Sequence, residues 1–329
     1  MRPALDLEEL AALPLLNGTP VERLAAAALH LRPCTAPAGE VLGREGEPGE
    51  VFWLLLEGRV AVSIGGRHVA DAGPGSILGE LSLLRNQPRS ATVTAEEDCR
   101  FLCGGTAALE ELLEAASVRS RLRRLASSRL AQDLRPVRIE LADGTPVAVR
   151  PLLPSDRAAI DTAIENMSRE SIRRRFFSAG TPSKALVDYL IDIDYVDHFA
   201  WVVLDELTGA GMATGRYVRR PGDPEAEMAF TTVDSYQGRG LGTFLLAAVG
   251  VAACEAGVER LVAHVMEDNT PMRRVFAKAG GTSSFDEPGL VLVSVDPLRA
   301  ASLLEPAIRT LIADAVRDVV TAASLALRA

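Results

Sequence analysis

The stretch GELSLLRNQPRSATV, residues 79–93, combines features that an ordinary core segment does not need. A glycine precedes a short apolar helix that begins with Glu80, and the turn after it presents Arg89 and Ser90. Glycine lets a backbone approach a ligand, and the amides of a helix start attract an anion. Arg89 can pair with a phosphate, whereas Glu80 needs a donor such as a ribose hydroxyl. The stretch predicts a site for a sugar with an adjacent phosphate; an ion pair between Glu80 and Arg89 is the alternative.

The sequence around this stretch predicts a small β-roll flanked by helices. Apolar residues recur at helical spacing over residues 7–32 and again over 106–134, where Pro136 ends the pattern. Between these helices, β-rich runs alternate with glycine turns, as is typical of an antiparallel roll. The expected strands are residues 51–56, 59–64, 68–70, 91–95 and 100–103. We therefore expect a first domain over residues 1–134.

Residues 79–93 resemble the phosphate-binding cassette of the cyclic nucleotide-binding domain family, and the resemblance extends over about residues 10–133. It implies that Glu80 holds the ribose 2′-hydroxyl, that Arg89 holds the cyclic phosphate and that the trailing helix covers the base. No threonine follows Arg89 directly, and Ser90 in that place is compatible with cyclic AMP. Cyclic GMP is the alternative ligand. The residues expected to bind cyclic AMP are Gly79, Glu80, Leu81, Ser82, Arg89, Ser90, Ala91 and Arg129.

The second half alternates strands and helices, which predicts an α/β domain with a mixed sheet over residues 135–298 and an α+β fold for the whole chain. Its most informative turn is QGRGLGT, residues 237–243, between a strand and a helix. Successive amides at such a turn can hold a pyrophosphate. A dinucleotide-binding fold is the competing interpretation, but no early strand–glycine turn is followed by an acid about twenty residues later.

The glycine turn and the run MEDNTPMRRVFAKAGG, residues 266–281, resemble the GNAT acetyltransferase family over about residues 137–297. The resemblance implies that residues 230–232 pair with the pantetheine arm of acetyl-CoA and that the turn holds its phosphates. Phe276 stands where the family often has a tyrosine that protonates the thiolate, so water or another residue must supply that proton. The expected acetyl-CoA residues are Phe230, Thr231, Thr232, Gly238, Arg239, Gly240, Leu241, Gly242, Thr243, Asn269 and Arg273.

A general base is needed because an acceptor lysine is protonated at neutral pH and only its neutral amine attacks a thioester. Strand alternation in PEAEMAFTTVD, residues 224–234, places Glu225 and Glu227 on one face. Glu227 lies deeper in the apolar run, so burial favours it as the base, acting through a water, with Glu225 as the substitute. His198, next to Asp197, is a further candidate on the acceptor side, and a structural histidine is the alternative.

The two domains in this order, together with the runs DYVDHF, AEMAF, YQGRGLG and DNTPMR, resemble the actinobacterial cyclic AMP-regulated protein lysine acetyltransferases. The resemblance implies acetyl transfer from acetyl-CoA to lysines of proteins such as acyl-CoA synthetases or universal stress proteins, regulated by cyclic AMP. A cyclic nucleotide-regulated acetyltransferase of small-molecule amines is the alternative. Residues 299–329 are predicted to form an amphipathic helix and are a candidate regulatory element.

The overall composition excludes other functions. A net charge of −9 over 329 residues argues against nucleic acid as a partner. The beginning of the sequence lacks a signal-peptide pattern, and its apolar runs are too short to cross a membrane, so we expect a cytoplasmic protein with no membrane partner. The cysteines have neither disulfide-framework nor metal-site spacing, so reduced thiols and no metal are expected: Cys34, Cys99, Cys103 and Cys254.

Overall fold

The computed structural model describes residues 6–141, 143–178 and 180–325. These residues form two compact units, the first built on residues up to Ala126 together with residues 322–325 and the second on Ser127–Thr321. An antiparallel roll with helices in the first unit and a mixed sheet with helices in the second confirm the predicted fold class. The domain boundaries expected at residues 134/135 and 298/299 remain predictions.

The first unit contains a roll of two four-stranded sheets. Its strands are β1 Leu31–Ala36, β2 Val41–Gly43, β3 Phe52–Glu57, β4 Val60–Ile64, β5 Arg67–Ala72, β6 Ile77–Leu78, β7 Thr92–Ala95 and β8 Cys99–Gly104. One sheet has the order β1-β8-β3-β6 and the other β2-β7-β4-β5, and every pairing is antiparallel. Sequence analysis missed β1, β2 and β6, because β1 and β2 do not show the alternating burial that reveals a strand and β6 has only two residues.

The helices of the first unit cover one sheet of the roll. They are α1 Leu7–Ala12, α2 Val21–Ala28, α3 Glu80–Arg85, α4 Thr106–Leu113 and α5 Ala116–Asp133, within which this unit ends. Leu24 of α2 and Leu109 of α4 are buried in one cluster with Phe52 of β3. The helix predicted over residues 106–134 is therefore two helices, separated at Glu114 and Ala115.

One expectation about the cysteines is wrong. Cys34 of β1 and Cys103 of β8 form a disulfide, with their Cα atoms 6.4 Å apart, whereas Cys99 and Cys254 are free thiols. The two paired cysteines are 69 residues apart in sequence. They meet only because β1 and β8 pair, with Cys34 opposite Phe101, and sequence spacing alone does not reveal that pairing.

The second unit is organised around one eight-stranded sheet. Its strands are β9 Val137–Glu140, β10 Pro146–Pro151, β11 His198–Asp205, β12 Gly211–Val218, β13 Glu225–Thr232, β14 Arg260–Met266, β15 Thr282–Glu287 and β16 Leu290–Val295. Their order is β15-β16-β14-β13-β12-β11-β10-β9. Among these described strands only β13 and β14 pair in parallel.

The helices of the second unit pack on this sheet. They are α6 Arg157–Glu165, α7 Arg169–Phe176, α8 Lys184–Ile191, α9 Leu241–Glu255, α10 Thr270–Lys278, α11 Pro297–Ala301 and α12 Pro306–Leu325. Most residues of α9 are buried, which fits a helix that is apolar on all sides. α12 buries Ile312, Val316 and Val319 in the same core. None of the helices within the described ranges combines the length and hydropathy needed to cross a membrane.

The contact between α9 and α11 generates a prediction about stability. A Cβ at Gly250 would lie 2.8 Å from the carbonyl oxygen of Pro297 and 2.8 Å from the amide nitrogen of Ala301. Backbone atoms cannot move aside cheaply, so Gly250→Ala should lower the free energy of unfolding of the second unit by about 1–3 kcal/mol. We would measure it by urea unfolding followed by Trp201 fluorescence in a Trp53→Phe background, since the chain has two tryptophans.

Gly211→Ala is the matched control, because no atom lies within 4 Å of a Cβ at Gly211. This variant should change stability by less than about 0.5 kcal/mol. Equal stability of the two variants would contradict the close packing of α9 against α11.

Candidate nucleotide-binding and active sites

The predicted cassette begins at the start of α3. Gly79 precedes this helix with φ 74°, in the left-handed region that glycine adopts without strain. The first helical turn then buries Glu80, Leu81 and Ser82, which expose 0%, 8% and 4% of their surface. A carboxylate is rarely enclosed to this degree without a functional or structural partner, so the position of Glu80 agrees with the role predicted for it.

Arg89 lies against the same helix start. Its Nη1 donates to the carbonyl oxygen of Gly79 at 3.0 Å, and its guanidinium carbon lies 4.4 Å from the centre of the Trp53 ring. Burial lowers the pKa of Arg89, while the nearby charges of Glu80 and Glu47 act in the opposite direction. The structure therefore places a shielded positive charge next to Gly79 and close to a carboxylate.

Glycines allow the close packing around Arg89. A Cβ at Gly79 would overlap Arg89 Nη1 and lie 2.8 Å from the Trp53 ring, and one at Gly49 would overlap Ser82. The backbone of Arg89 is held as well: the Gly46 amide donates to the Arg89 carbonyl, and the Arg89 amide donates to the Glu47 carbonyl, both at 2.8 Å. Sequence analysis missed Trp53 and Gly49, because only the tertiary fold brings β3 and the loop before it to the cassette.

Five of the eight residues that were predicted to bind a cyclic nucleotide lie together in the structure: Gly79, Glu80, Leu81, Ser82 and Arg89. Ser90 is exposed and Ala91 is partly buried in the turn that follows Arg89. Arg129 lies on α5 and belongs to the second unit. The contacts of these last three residues with a nucleotide remain predictions.

In the second unit, the functional geometry follows from the way β13 and β14 separate. They pair only over Glu225–Glu227, opposite Arg260–Val262. β13 nevertheless continues to Thr232 and β14 to Met266. The two strands thus diverge directly after Glu227 and leave the β14-facing backbone edge of β13 without strand partners beyond that residue. Unpaired backbone at a strand edge can bind an extended molecule by further hydrogen bonds.

Glu227 lies where the two strands part, and one argument for choosing it is wrong. Its side chain is 60% exposed, whereas that of Glu225 is 37% exposed and pairs with Arg260 at 2.6 Å. Glu227 is therefore the more accessible of the two carboxylates, although it lies further along an apolar run, because the neighbouring strand turns away. Sequence analysis missed its neighbour His264, whose Nδ1 lies 3.6 Å from Glu227 Oε1.

The remaining residues of β13 face two environments. Phe230 packs edge-on against Phe276, with ring centres 6.0 Å apart, so Phe276 belongs to the core. On the other face the Thr231 hydroxyl accepts a hydrogen bond from Arg175 Nε at 3.0 Å. Burial lowers the pKa of Arg175 to about 10, and the nearby charge of Glu227 partly opposes that shift. A cationic side chain from α7 is thus close to the base candidate.

The glycine turn leads directly into α9. Gly238 and Gly240 have φ values of 79° and 90°, and α9 begins at Leu241, so its first amides point out of the helix start. Arg239 contacts the Thr145 hydroxyl at 3.3 Å. Lys278 of α10 contacts the Thr243 hydroxyl at 3.3 Å. Two cationic side chains therefore flank this helix start, which is an arrangement suited to an anion.

Asn269 and Arg273 have local partners in the structure. The Asn269 side chain caps α10 by accepting from the Met272 amide at 3.3 Å, and Arg273 Nη1 donates to the Glu267 carbonyl at 3.2 Å. Both residues lie at the start of α10, after the strand that diverges from β13. Their contacts with acetyl-CoA remain predictions.

His198 has a structural environment. It is 6% exposed, stacks on Tyr189 at 5.5 Å, and places its Nε2 3.1 Å from Arg216 Nη1. Burial, and secondarily Arg216, lower the pKa of His198 to about 4. A neutral, enclosed imidazole favours the structural alternative over a role on the acceptor side. Within the described ranges, no cluster of three or more His, Cys, Asp or Glu residues could hold a metal ion.

Comparison with known proteins matches one domain family to each half of the chain. The cyclic nucleotide-binding domain family matches residues 33–116, and the acetyltransferase (GNAT) domain family matches residues 147–282. Acetyltransferase Pat of Mycolicibacterium smegmatis is 38% identical over 322 residues, which cover 96% of this chain and 97% of that protein.

The chain belongs to the family of acetyltransferases that join a cyclic nucleotide-binding domain to a GNAT domain. A solved cAMP-binding acyltransferase from Mycobacterium smegmatis is 36% identical, covers 97% of each chain and gives a TM-score of 0.51. A cyclic nucleotide-gated potassium channel of Mesorhizobium japonicum is 32% identical over 34% of this chain and 34% of its own length. Membership of this family makes the protein an acyltransferase and confirms the predicted enzyme class.

The packing around Gly79 generates a prediction about nucleotide binding. Gly79→Ala places a methyl group against Arg89 Nη1 and the Trp53 ring, so it should displace the guanidinium and weaken binding of cyclic AMP by about tenfold or more. We would measure the dissociation constant by isothermal titration calorimetry.

Gly66→Ala serves as the control for backbone strain. Gly66 has the same φ of 74°, but no atom lies within 4 Å of its Cβ position, so this variant should bind cyclic AMP like the wild type. Equal weakening in both variants would show that strain, and not the position of Arg89, causes the loss.

Proposed function

We propose that the protein transfers an acetyl group from acetyl-CoA to lysine side chains of other proteins under the control of cyclic AMP, with Glu227 as the general base. The observation that carries this proposal is the cleft between β13 and β14, because it begins at Glu227. The same cleft supplies a backbone edge for a thioester and an exposed carboxylate for an acceptor.

Acetyl-CoA binding follows from the edge of β13 and the start of α9. We infer that the backbone of Phe230–Thr232 hydrogen-bonds the pantetheine arm. The amides of residues 238–243 then hold the pyrophosphate, because a glycine turn opening a helix of 15 residues presents several donors to an anion. Arg239, Arg273 and Lys278 add positive charge, with Arg239 and Lys278 anchored beside this turn.

The chemistry requires one proton to leave the acceptor before the carbon–nitrogen bond forms. Glu227 removes a proton from the lysine ammonium through a water. The neutral amine attacks the thioester carbonyl, its nitrogen releases a second proton to water, and collapse of the tetrahedral intermediate breaks the carbon–sulfur bond. Water protonates the departing thiolate, because Phe276 has no proton to donate and thiolate is a tolerable leaving group near neutral pH.

The acceptor is best explained as a lysine on a protein surface. The side chain of Glu227 is 60% exposed, so a lysine presented on the surface of another protein can reach it. We propose acyl-CoA synthetases or universal stress proteins as acceptors. Acetyl-CoA and cyclic AMP are both cytoplasmic metabolites, and we propose that the enzyme acts in the cytoplasm.

Control by the nucleotide requires that cyclic AMP binds the active state more tightly than the inactive state. We infer that Glu80 holds its ribose hydroxyl and Arg89 its phosphate, as the burial of both side chains supports. A coupling free energy of about 1–3 kcal/mol corresponds to a change of about 5- to 150-fold in the favoured state. Tethering two such domains in one chain makes that coupling intramolecular.

The proposal is tested by measuring acetyl transfer to a lysine-bearing acyl-CoA synthetase with and without cyclic AMP. Transfer should rise with cyclic AMP, Glu227→Gln should lower kcat by about a hundredfold or more, and Arg89→Ala should abolish the response to cyclic AMP. Glu225→Gln should have a smaller effect, because Glu225 is ion-paired with Arg260.

Arg59→Ala is the control for Arg89→Ala, since Arg59 is an exposed arginine of the same unit paired with Glu97 at 3.4 Å. It should keep the response to cyclic AMP. Acetylation of a small amine without acetylation of any protein would favour the alternative substrate class, and transfer indifferent to cyclic AMP would refute the regulatory part.

A further inference from the structure

Three titratable side chains form a row across the sheet of the second unit. Glu227 lies on β13, His264 on β14 and Asp286 on β15. His264 Nδ1 is 3.6 Å from Glu227 Oε1, and His264 Nε2 is 3.2 Å from Asp286 Oδ2. An imidazole therefore stands between the proposed base and a second carboxylate.

Strand pairing places these residues in one row. Glu227 is opposite Val262 in the parallel pair, so His264, two residues further along β14, lies on the same face just past the point of separation. The pairing of β15 with β16 shifts between Phe285 and Glu287, the two neighbours of Asp286. An irregularity of this kind redirects a side chain, which accounts for the reach of Asp286 to His264 from beyond β16.

The carboxylates of Glu227 and Asp286 give the two ring nitrogens of His264 different hydrogen-bonding roles. An ionised carboxylate only accepts hydrogen bonds, so Asp286 favours the tautomer in which Nε2 carries the proton. Nδ1 then directs its lone pair toward Glu227. Two acceptors cannot share a hydrogen bond, but a protonated Glu227 can donate to Nδ1 once its side chain closes the present 3.6 Å separation to hydrogen-bond distance. The contact between Glu227 and His264 thus becomes favourable once Glu227 has taken a proton from the acceptor during acetyl transfer.

We propose that His264 receives this proton from Glu227 and passes it to solvent, with Asp286 as the positioning residue for the imidazole; this role rests on the function proposed above. The proton moves from the lysine ammonium through water to Glu227, then to Nδ1, and Glu227 returns to its carboxylate form. The resulting imidazolium lies between the carboxylates of Glu227 and Asp286, so each of its two N–H groups faces an acceptor. The His264 side chain is 38% exposed, so water can remove the proton.

The other charges near this row are mostly paired with one another. Glu225 pairs with Arg260 at 2.6 Å, and Arg173 pairs with Asp268 at 2.7 Å. Arg175 on α7 interacts electrostatically with Glu227.

The test compares His264→Gln with the wild-type enzyme in acetyl transfer from acetyl-CoA to a protein acceptor. Glutamine can still donate a hydrogen bond to Asp286, but it cannot carry a proton. We expect kcat to fall about tenfold, KM for acetyl-CoA to stay within about twofold, and the pH profile of kcat to lose one ionisation. Asp286→Asn should lower kcat in the same direction and shift that ionisation.

Two further measurements separate proton transfer from a structural role. Added imidazole should restore part of the kcat of His264→Ala. His68→Gln is the matched control, because His68 Nε2 lies 3.2 Å from Asp71 Oδ1 on β5 of the first unit, and its kcat and pH profile should equal those of the wild type.

The outcomes distinguish this inference from the proposed function. If Glu227→Gln abolishes transfer but His264→Gln keeps the kcat and pH profile of the wild type, the proposed function stands and the role of His264 is refuted. A lower kcat with an unchanged pH profile and no restoration by imidazole would also overturn it. If the wild type transfers no acetyl group, both proposals fail together.

Discussion

The separation of β13 and β14 is the constraint on which the second unit depends. Parallel pairing over Glu225–Glu227 holds the two strands together at one end, and their divergence beyond it exposes a backbone edge that requires hydrogen-bond partners. β13 then leads into the glycine turn, so the start of α9 lies at the end of the same strand. One geometric event thus brings together the proposed base, the backbone edge proposed for the thioester and the helix start proposed for its phosphates.

The constraint in the first unit is a different one: the positive charge of Arg89 is shielded from water. Arg89 is 7% exposed and is held by the Gly79 carbonyl, the Trp53 ring and the charges of Glu80 and Glu47. Such a guanidinium is ready for an anion because its position is already set by packing. The glycines that allow this packing are therefore as necessary to the geometry of the site as the charged residues are.

Sequence patterns predicted the cassette and the glycine turn well, because both are continuous runs whose backbone conformation is local. Sequence patterns did not predict the contacts between residues that lie on different strands. Trp53 reaches Arg89 through the roll, Cys34 and Cys103 join through the pairing of β1 with β8, and His264 reaches Glu227 from the next strand. Sequence position also misjudged the burial of Glu227, because exposure at that point depends on the path of β14.

The sequence by itself determined the two-domain α+β architecture, the family and the positions of the two turns proposed to bind anions, since helical periodicity, alternation and glycine placement are properties of neighbouring residues. Only the tertiary structure decided which carboxylate is accessible and which side chains surround it. Glu225 and Glu227 share one face in the strand pattern, yet one is paired with Arg260 and the other faces His264. That difference arises because strand register, which joins residues far apart in sequence, sets the partners of each side chain.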